Sequence, residues 1–116
     1  MTTISLPVPP SVNGLYRNVQ GRGRVKTKRY MEWINAAGWA LLESRPRKHN
    51  GAVSVHVLIE EPKRARDIDN ILKPLLDLLT THRVISDDSS KVVREITIGI
   101  SPDVVGCHVT IKPEVL

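Results

Sequence analysis

The sequence predicts an α/β (α+β) domain: a small mixed β-sheet with two helices packed on one face, in the order β-α-β-α-β-β. Three observations carry that expectation. Val53, Val55, Val57 and Ile59 alternate with Ser54, His56, Leu58 and Glu60, the period of a half-buried strand. Tyr30, Trp33, Ile34, Ala37 and Leu41 recur at helical spacing, and so do Leu72, Leu75, Leu76 and Leu79. Helices that alternate with strands and then give way to two further strands fit a sheet covered on one side.

The elements follow in order. Ile4, Leu6 and Val8 share one face of an extended segment over residues 3–8, and Pro7, which lacks a ladder donor, marks it as an edge strand. Residues 13–26 show no periodicity and carry glycines and basic side chains, which reads as a loop. Thr27 is a suitable N-cap for a helix reaching about Ser44, where Arg45-Pro46 ends it. Gly38 costs this helix ~1 kcal/mol relative to alanine, a cost that close packing would justify. The strand over residues 53–59 is followed by a basic turn, Pro62-Lys63-Arg64-Ala65-Arg66. A second helix is expected over residues 70–80, because Pro74 is tolerated only in a first turn. Residues 93–100 and 107–112 read as a closing hairpin, joined through Ser101-Pro102-Asp103 and Gly106.

With 116 residues, the chain suits a single domain over residues 1–116, and 41% hydrophobic residues can fill its core. No apolar run approaches the ~20 residues that span a bilayer, so no membrane association is expected. The opening MTTISLPVPP has neither a basic start nor a long apolar stretch, so no secretory leader is expected either. The single cysteine, Cys107, lies in an alternating stretch and reads as a buried thiol, which fits a reducing, cytoplasmic location. The net charge is +5, unevenly placed. Residues 1–50 hold nine Lys/Arg against two Asp/Glu, and residues 51–116 hold eight against ten. A basic half joined to an acidic half suggests a polyanion-binding surface beside a carboxylate site. Excess Lys and Arg that merely keep the chain soluble would give the same totals.

The segment Arg66-Asp67-Ile68-Asp69-Asn70-Ile71-Leu72-Lys73 carries the chemistry, with Asp87-Asp88 before the next strand. In an extended lead-in, residues two apart point the same way, so Asp67 and Asp69 can converge. Asp69 and Lys73, four apart at a helix start, are neighbours across one turn. Three carboxylates are hard oxygen ligands suited to Mg²⁺, with Mn²⁺ as a substitute, rather than to zinc. Such an ion activates water and offsets charge on a phosphodiester, and Lys73 could hold a non-bridging oxygen or the leaving group. Each part also has an ordinary role. Asp69 or Asn70 could cap the helix, Lys73 could pair with Asp77, and Asp87-Asp88 could form a turn.

The ordered set Asp67-x-Asp69-Asn70-x-x-Lys73-Pro74-x-x-Asp77, then Val84-Ile85-x-Asp87-Asp88, resembles the core signature of the RusA family of Holliday junction resolvases. The opening is similar too, with Leu6-Pro7-x-Pro9-Pro10-Ser11-x-Asn13, Tyr16-Arg17, the Gly-Arg loop at 21–24, and Tyr30. The likeness spans residues 4 to about 95. It implies a homodimeric, Mg²⁺-dependent crossover junction endodeoxyribonuclease that makes paired nicks in four-way DNA. By position, Asp67, Asp69 and Asp88 would be the metal-site residues and Lys73 the catalytic lysine, while Asp87 precedes the family position and would support the turn. The chain has no phenylalanine, so any aromatic that opens the junction must be replaced or absent, and no cutting-sequence preference carries over. Symmetry argues for a dimer independently, since two symmetric cuts need two sites and one chain builds one.

Arg17, Arg22, Arg24, Lys26, Lys63, Arg64 and Arg66 are the candidate DNA-phosphate contacts, each equally readable as a solvated charge. His49, His56, His82 and His108 share no metal-ligand spacing and read as structural or surface residues. Trp33 reads as core. Two other functions compete. A haloacid-dehalogenase-like phosphatase also uses a DxD element, but there the first Asp directly follows a buried strand, and here residues 60–66 intervene. A non-catalytic basic nucleic-acid-binding module would explain the basic half and leave the convergent acids, which repel phosphate, without a purpose.

Overall fold

The computed structural model describes residues 1–114. Its strands are β1 (Thr2–Leu6), β2 (Tyr16–Val19), β3 (Gly23–Lys26), β4 (Val53–Glu60), β5 (Val93–Ser101) and β6 (Cys107–Pro113). Its helices are α1 (Lys28–Ser44) and α2 (Leu72–Thr81), and short 3-10 turns occupy Val12–Gly14 and Ile68–Ile71. Four strands form one sheet in the order β1-β6-β4-β5, and β2 and β3 form a separate two-stranded ribbon. The sheet is mixed, because β6 is antiparallel to both β1 and β4 while β5 runs parallel to β4. The edge position expected for the first strand is observed, and Pro7 falls just beyond its last paired residue.

Alternation decides which side of the sheet is dry. Ile4 and Leu6, Cys107, Val109 and Ile111, and Val53, Val55, Val57 and Ile59 are all buried and share one face by register. Against them lie Trp33, Ala37 and Leu41 of α1 and Leu75, Leu78 and Leu79 of α2. The opposite face carries Thr3, Ser5, His56, Thr110 and Lys112, the polar partners that alternation requires. Burial pushes the Cys107 thiol up to about 12, which leaves it an unreactive core group. Trp33 is a core residue whose indole N–H donates to the Pro7 carbonyl at 2.8 Å.

Thr27 caps α1 as expected, its hydroxyl oxygen accepting from the Tyr30 N–H. Gly38 has the packing reason its helical cost called for: a Cβ there would meet the His82 ring at 3.4 Å. Two expectations are corrected. The closing hairpin is absent, since β5 and β6 do not pair with each other but flank β4 on either side. The turn residues at 101–106 suggested a hairpin, but both strands pair instead with β4, whose Val53, Val55, Val57 and Ile59 are buried. The loop over residues 13–26 instead holds the β2–β3 ribbon. The turn that closes it bonds the Arg22 N–H to the Val19 carbonyl at 3.0 Å, with Gly21 at φ 80°. Glycine adopts that conformation without the penalty other residues incur.

Gly106 is more constrained. Its φ is 77°, and a Cβ would sit 2.7 Å from the Leu6 carbonyl oxygen, whereas nothing lies within 4 Å of one at Gly21. Gly106→Ala is therefore expected to lower stability by about 1–3 kcal/mol, and more than Gly21→Ala, in urea unfolding. Equal losses in the two variants would contradict the close approach.

Candidate active site

β4 ends at Glu60, and the basic segment leads to Asp67, whose backbone is extended at φ −72°, ψ 122°. The 3-10 turn Ile68–Ile71 then passes into α2, anchored by the fully buried Ile71. Pro74 falls in the first turn of α2, where its missing N–H has no intrahelical partner to lose. Neither the turn nor the helix uses a side-chain cap, so the ordinary capping role for Asp69 or Asn70 is not realised. Among the described residues, Asp67 and Asp69 enter no ion pair, and both are exposed.

Asp69, Lys73 and Asp77 follow one another at intervals of four. Lys73 Nζ donates to Asp77 Oδ1 at 3.0 Å and stands 4.0 Å from Asp88 Oδ2. The hydrogen bond to Asp77, and then its charge, raise the Lys73 pKa above the ordinary lysine value, so the side chain is a cation at neutral pH. An exposed i, i+4 pair is worth only ~0.3–0.5 kcal/mol, and lysine N-terminal to the acid is the weaker orientation. Stability gains little from this pair. Its effect is to hold one ammonium between two carboxylates at the start of α2.

Asp87 is fully exposed and held below the usual carboxylate range, first by the Ser89 hydroxyl and then by backbone N–H groups at Asp88 and Ser89. Asp88 is the member of the pair that approaches Lys73. Among the described residues, no three His, Cys, Asp or Glu side chains stand close enough to hold a metal ion. The donors at 67 and 69 suit a hard cation in chemistry, being carboxylates free of caps and ion pairs, but this single chain does not gather a third ligand onto them.

The basic candidates divide into two groups. Arg17, Arg22, Arg24 and Lys26 project from the β2–β3 ribbon and are exposed. Arg24 lies over the Tyr16 ring at 4.5 Å, and Lys26 stands 6.0 Å from the Tyr30 ring centre. Tyr16 meets Tyr30 edge to face at 5.9 Å, which ties the ribbon to α1. Between ribbon, α1 and α2 lies a cleft of about 330 Å³ bordered by Tyr16, Lys26, Tyr30 and Asp77. Burial, then the Asp77 charge, pushes the Tyr30 phenol up to about 12, so it stays protonated. Lys63, Arg64 and Arg66 form the second group, along a different cleft.

The sequence places Asp77 in the signature and offers it as a partner for Lys73 without assigning it a site role, and it does not announce the ribbon that carries four of the basic residues. The glycines at 21 and 23, set between Tyr16-Arg17-Asn18-Val19 and Arg24-Val25-Lys26, were the available signal for it.

None of the curated proteins compared with the chain matches it. The family model described as "Endodeoxyribonuclease RusA" matches residues 7–112, nearly the whole chain. The match runs through Asp67, Asp69, Lys73, Asp77 and Asp88 and takes in β2 to β5 and both helices complete, with β6 as far as Lys112. The chain belongs to the RusA family of endodeoxyribonucleases.

Proposed function

We propose that this protein is a Mg²⁺-dependent, structure-specific endonuclease that resolves four-way DNA junctions as a homodimer, by paired symmetric nicks. The observation that carries the reading is the Lys73 ammonium held between Asp77 and Asp88, in a family endonuclease whose acids at 67 and 69 enter no ion pair among the described residues. Asp67, Asp69 and Asp88 would hold the ion, which supplies water activation and charge neutralisation on the phosphodiester. A phosphate that attracts the Lys73 ammonium to itself frees Asp88 to turn toward the pair at 67 and 69.

Lys73 then donates to a phosphate oxygen, and its raised pKa keeps it cationic for that task. Asp77, on the same face of α2, aims the lysine and is a positioning residue. Arg17, Arg22, Arg24 and Lys26 on the ribbon, with Lys63, Arg64 and Arg66, bind the DNA backbone. Two-fold symmetry supplies the second cut, because each protomer provides one carboxylate set. A non-catalytic binding module remains the competing reading, and it leaves the acids at 67 and 69 without a task.

Junction affinity is expected to fall steeply with salt, with log K against log[salt] declining by ~0.9 for every phosphate neutralised. Anisotropy titrations of a labelled junction across a salt series measure this, and a flat response contradicts the basic surface. Cleavage of synthetic four-way, three-way and linear duplex DNA, with and without Mg²⁺, separates the two functions. Binding without Mg²⁺-dependent cutting would favour the module.

A further inference from the structure

Just past each helix stands an arginine in a conformation that costs it. Arg45 closes α1 at φ 47° and Arg83 follows α2 at φ 59°, in the left-handed region where glycine or asparagine usually sits. Both residues are exposed, and among the described residues neither enters an ion pair. The two helix ends are neighbours, because the His49 N–H donates to the Val84 carbonyl at 2.9 Å. Arg47 and Lys48, also exposed, join them in a basic cluster at one end of the molecule. Strain of this kind persists where another demand fixes the residue.

A groove leads from the active site to that cluster. The cleft beside Tyr16, Tyr30 and Asp77 and a shallower one of about 260 Å³ along α1 share Ile34 and His82 as lining. Trp39 and Leu42 border the second, and they are 69% and 55% exposed, outside the core that holds Trp33. Arg45 donates its N–H to the Leu42 carbonyl at 3.2 Å, and Arg83 follows His82, so the arginines flank the far end. From Tyr30 to Trp39 the helix rises about 14 Å, the length of roughly four stacked nucleotides.

An aromatic platform followed by cations suits unpaired nucleic acid, whose bases stack on the ring and whose phosphates meet the charges. Glu32 and Glu43 lie, by helical spacing, on the flank of Trp39 away from His82, so the groove side stays basic. A duplex keeps its bases stacked on one another and offers Trp39 no base face.

We propose that this groove holds an unpaired DNA strand leaving the active site, with one base stacked on Trp39 and its phosphates on Arg83 and Arg45. The inference deepens the endonuclease reading by adding branched DNA with a single-stranded arm as a substrate, and rests on it for the ligand's class.

Tryptophan emission reads the contact directly, since Trp39 is exposed and Trp33 is buried. An oligothymidylate of about twelve nucleotides, within the usual site size of such grooves, is expected to quench it saturably without Mg²⁺. Trp39→Leu abolishes the quench and weakens oligothymidylate binding by roughly tenfold, the stacking of one base, while duplex affinity changes less than twofold. Arg45→Gly and Arg83→Gly relieve the backbone, so each Tm equals or exceeds that of the wild-type protein. Both variants nevertheless bind the oligonucleotide more weakly, each with a salt slope shallower by about 0.7.

Trp39→Leu that binds oligothymidylate within twofold of wild type overturns the proposal, and so does equal weakening toward single strand and duplex. A Tm that falls in both glycine variants makes the arginines structural and overturns it too. Trp39→Leu that changes the oligomeric state with single-strand affinity intact assigns the groove to a protein contact, against the proposal. A fully paired four-way junction keeps the two readings apart. Failure to cut it with Mg²⁺ sinks the resolvase alone, because the oligothymidylate titration uses neither a branch nor the ion.

Discussion

Asp69→Asn is expected to abolish divalent-ion-dependent cleavage of a four-way junction, by roughly 10³-fold or more in rate, while junction binding persists. Asparagine keeps the shape of the side chain and removes its charge, and a site for a hard cation depends on that charge. The size of the effect is the several kcal/mol of transition-state stabilisation that a bound ion contributes. The fold should not change, because the residue is exposed and forms no ion pair among the described residues. Single-turnover cleavage beside anisotropy binding measures both properties. Cleavage at the wild-type rate would remove Asp69 from the site.

Lys73→Ala is expected to lower turnover by ~10²–10³, the usual effect of deleting one preorganised donor at a developing charge. Junction affinity should change far less, because the ammonium is one cation among many on the binding surface. Asp77→Asn should reduce turnover by a smaller factor and leave Lys73 free to stray, since Asp77 acts only through the 3.0 Å bond it accepts. If Lys73→Ala instead weakens binding as much as turnover, the lysine is a binding residue and not a catalytic one.

The parts of this protein that sequence made legible are those set by local periodicity. The α1 stripe from Tyr30 to Leu41 and the alternation of β4 each need only a few neighbouring residues to declare themselves. Thr27 was readable as a cap for the same reason. The position of β5 was not, because a nine-residue strand carries no mark of whether it will pair with the next strand or with β4. Pairing is a long-range choice, decided here by the buried face of β4. The ribbon was hidden by its shortness: four-residue strands, each with a single aliphatic residue, are too short to show a period and look like a loop until the turn glycines are weighed.

The candidate site divides along the same line. The Lys73–Asp77 pair, four residues apart on α2, follows from helical geometry and needed no coordinates. The approach of Asp88 to Lys73 joins segments on either side of α2, and only the tertiary structure supplies it. The burial of the Arg66 Nε and Nη2 atoms was not legible in the sequence, where the residue counted as one of seven candidate phosphate contacts.

The decisive measurement uses Mn²⁺ as a paramagnetic stand-in for Mg²⁺, added substoichiometrically to the isotope-labelled protein bound to a four-way junction. Shared coordination predicts that amide signals at residues 67–70 and at Asp88 broaden together, and that Asp69→Asn removes the effect at both places. Broadening confined to 67–70, with residue 88 untouched at the same ion concentration, would contradict it.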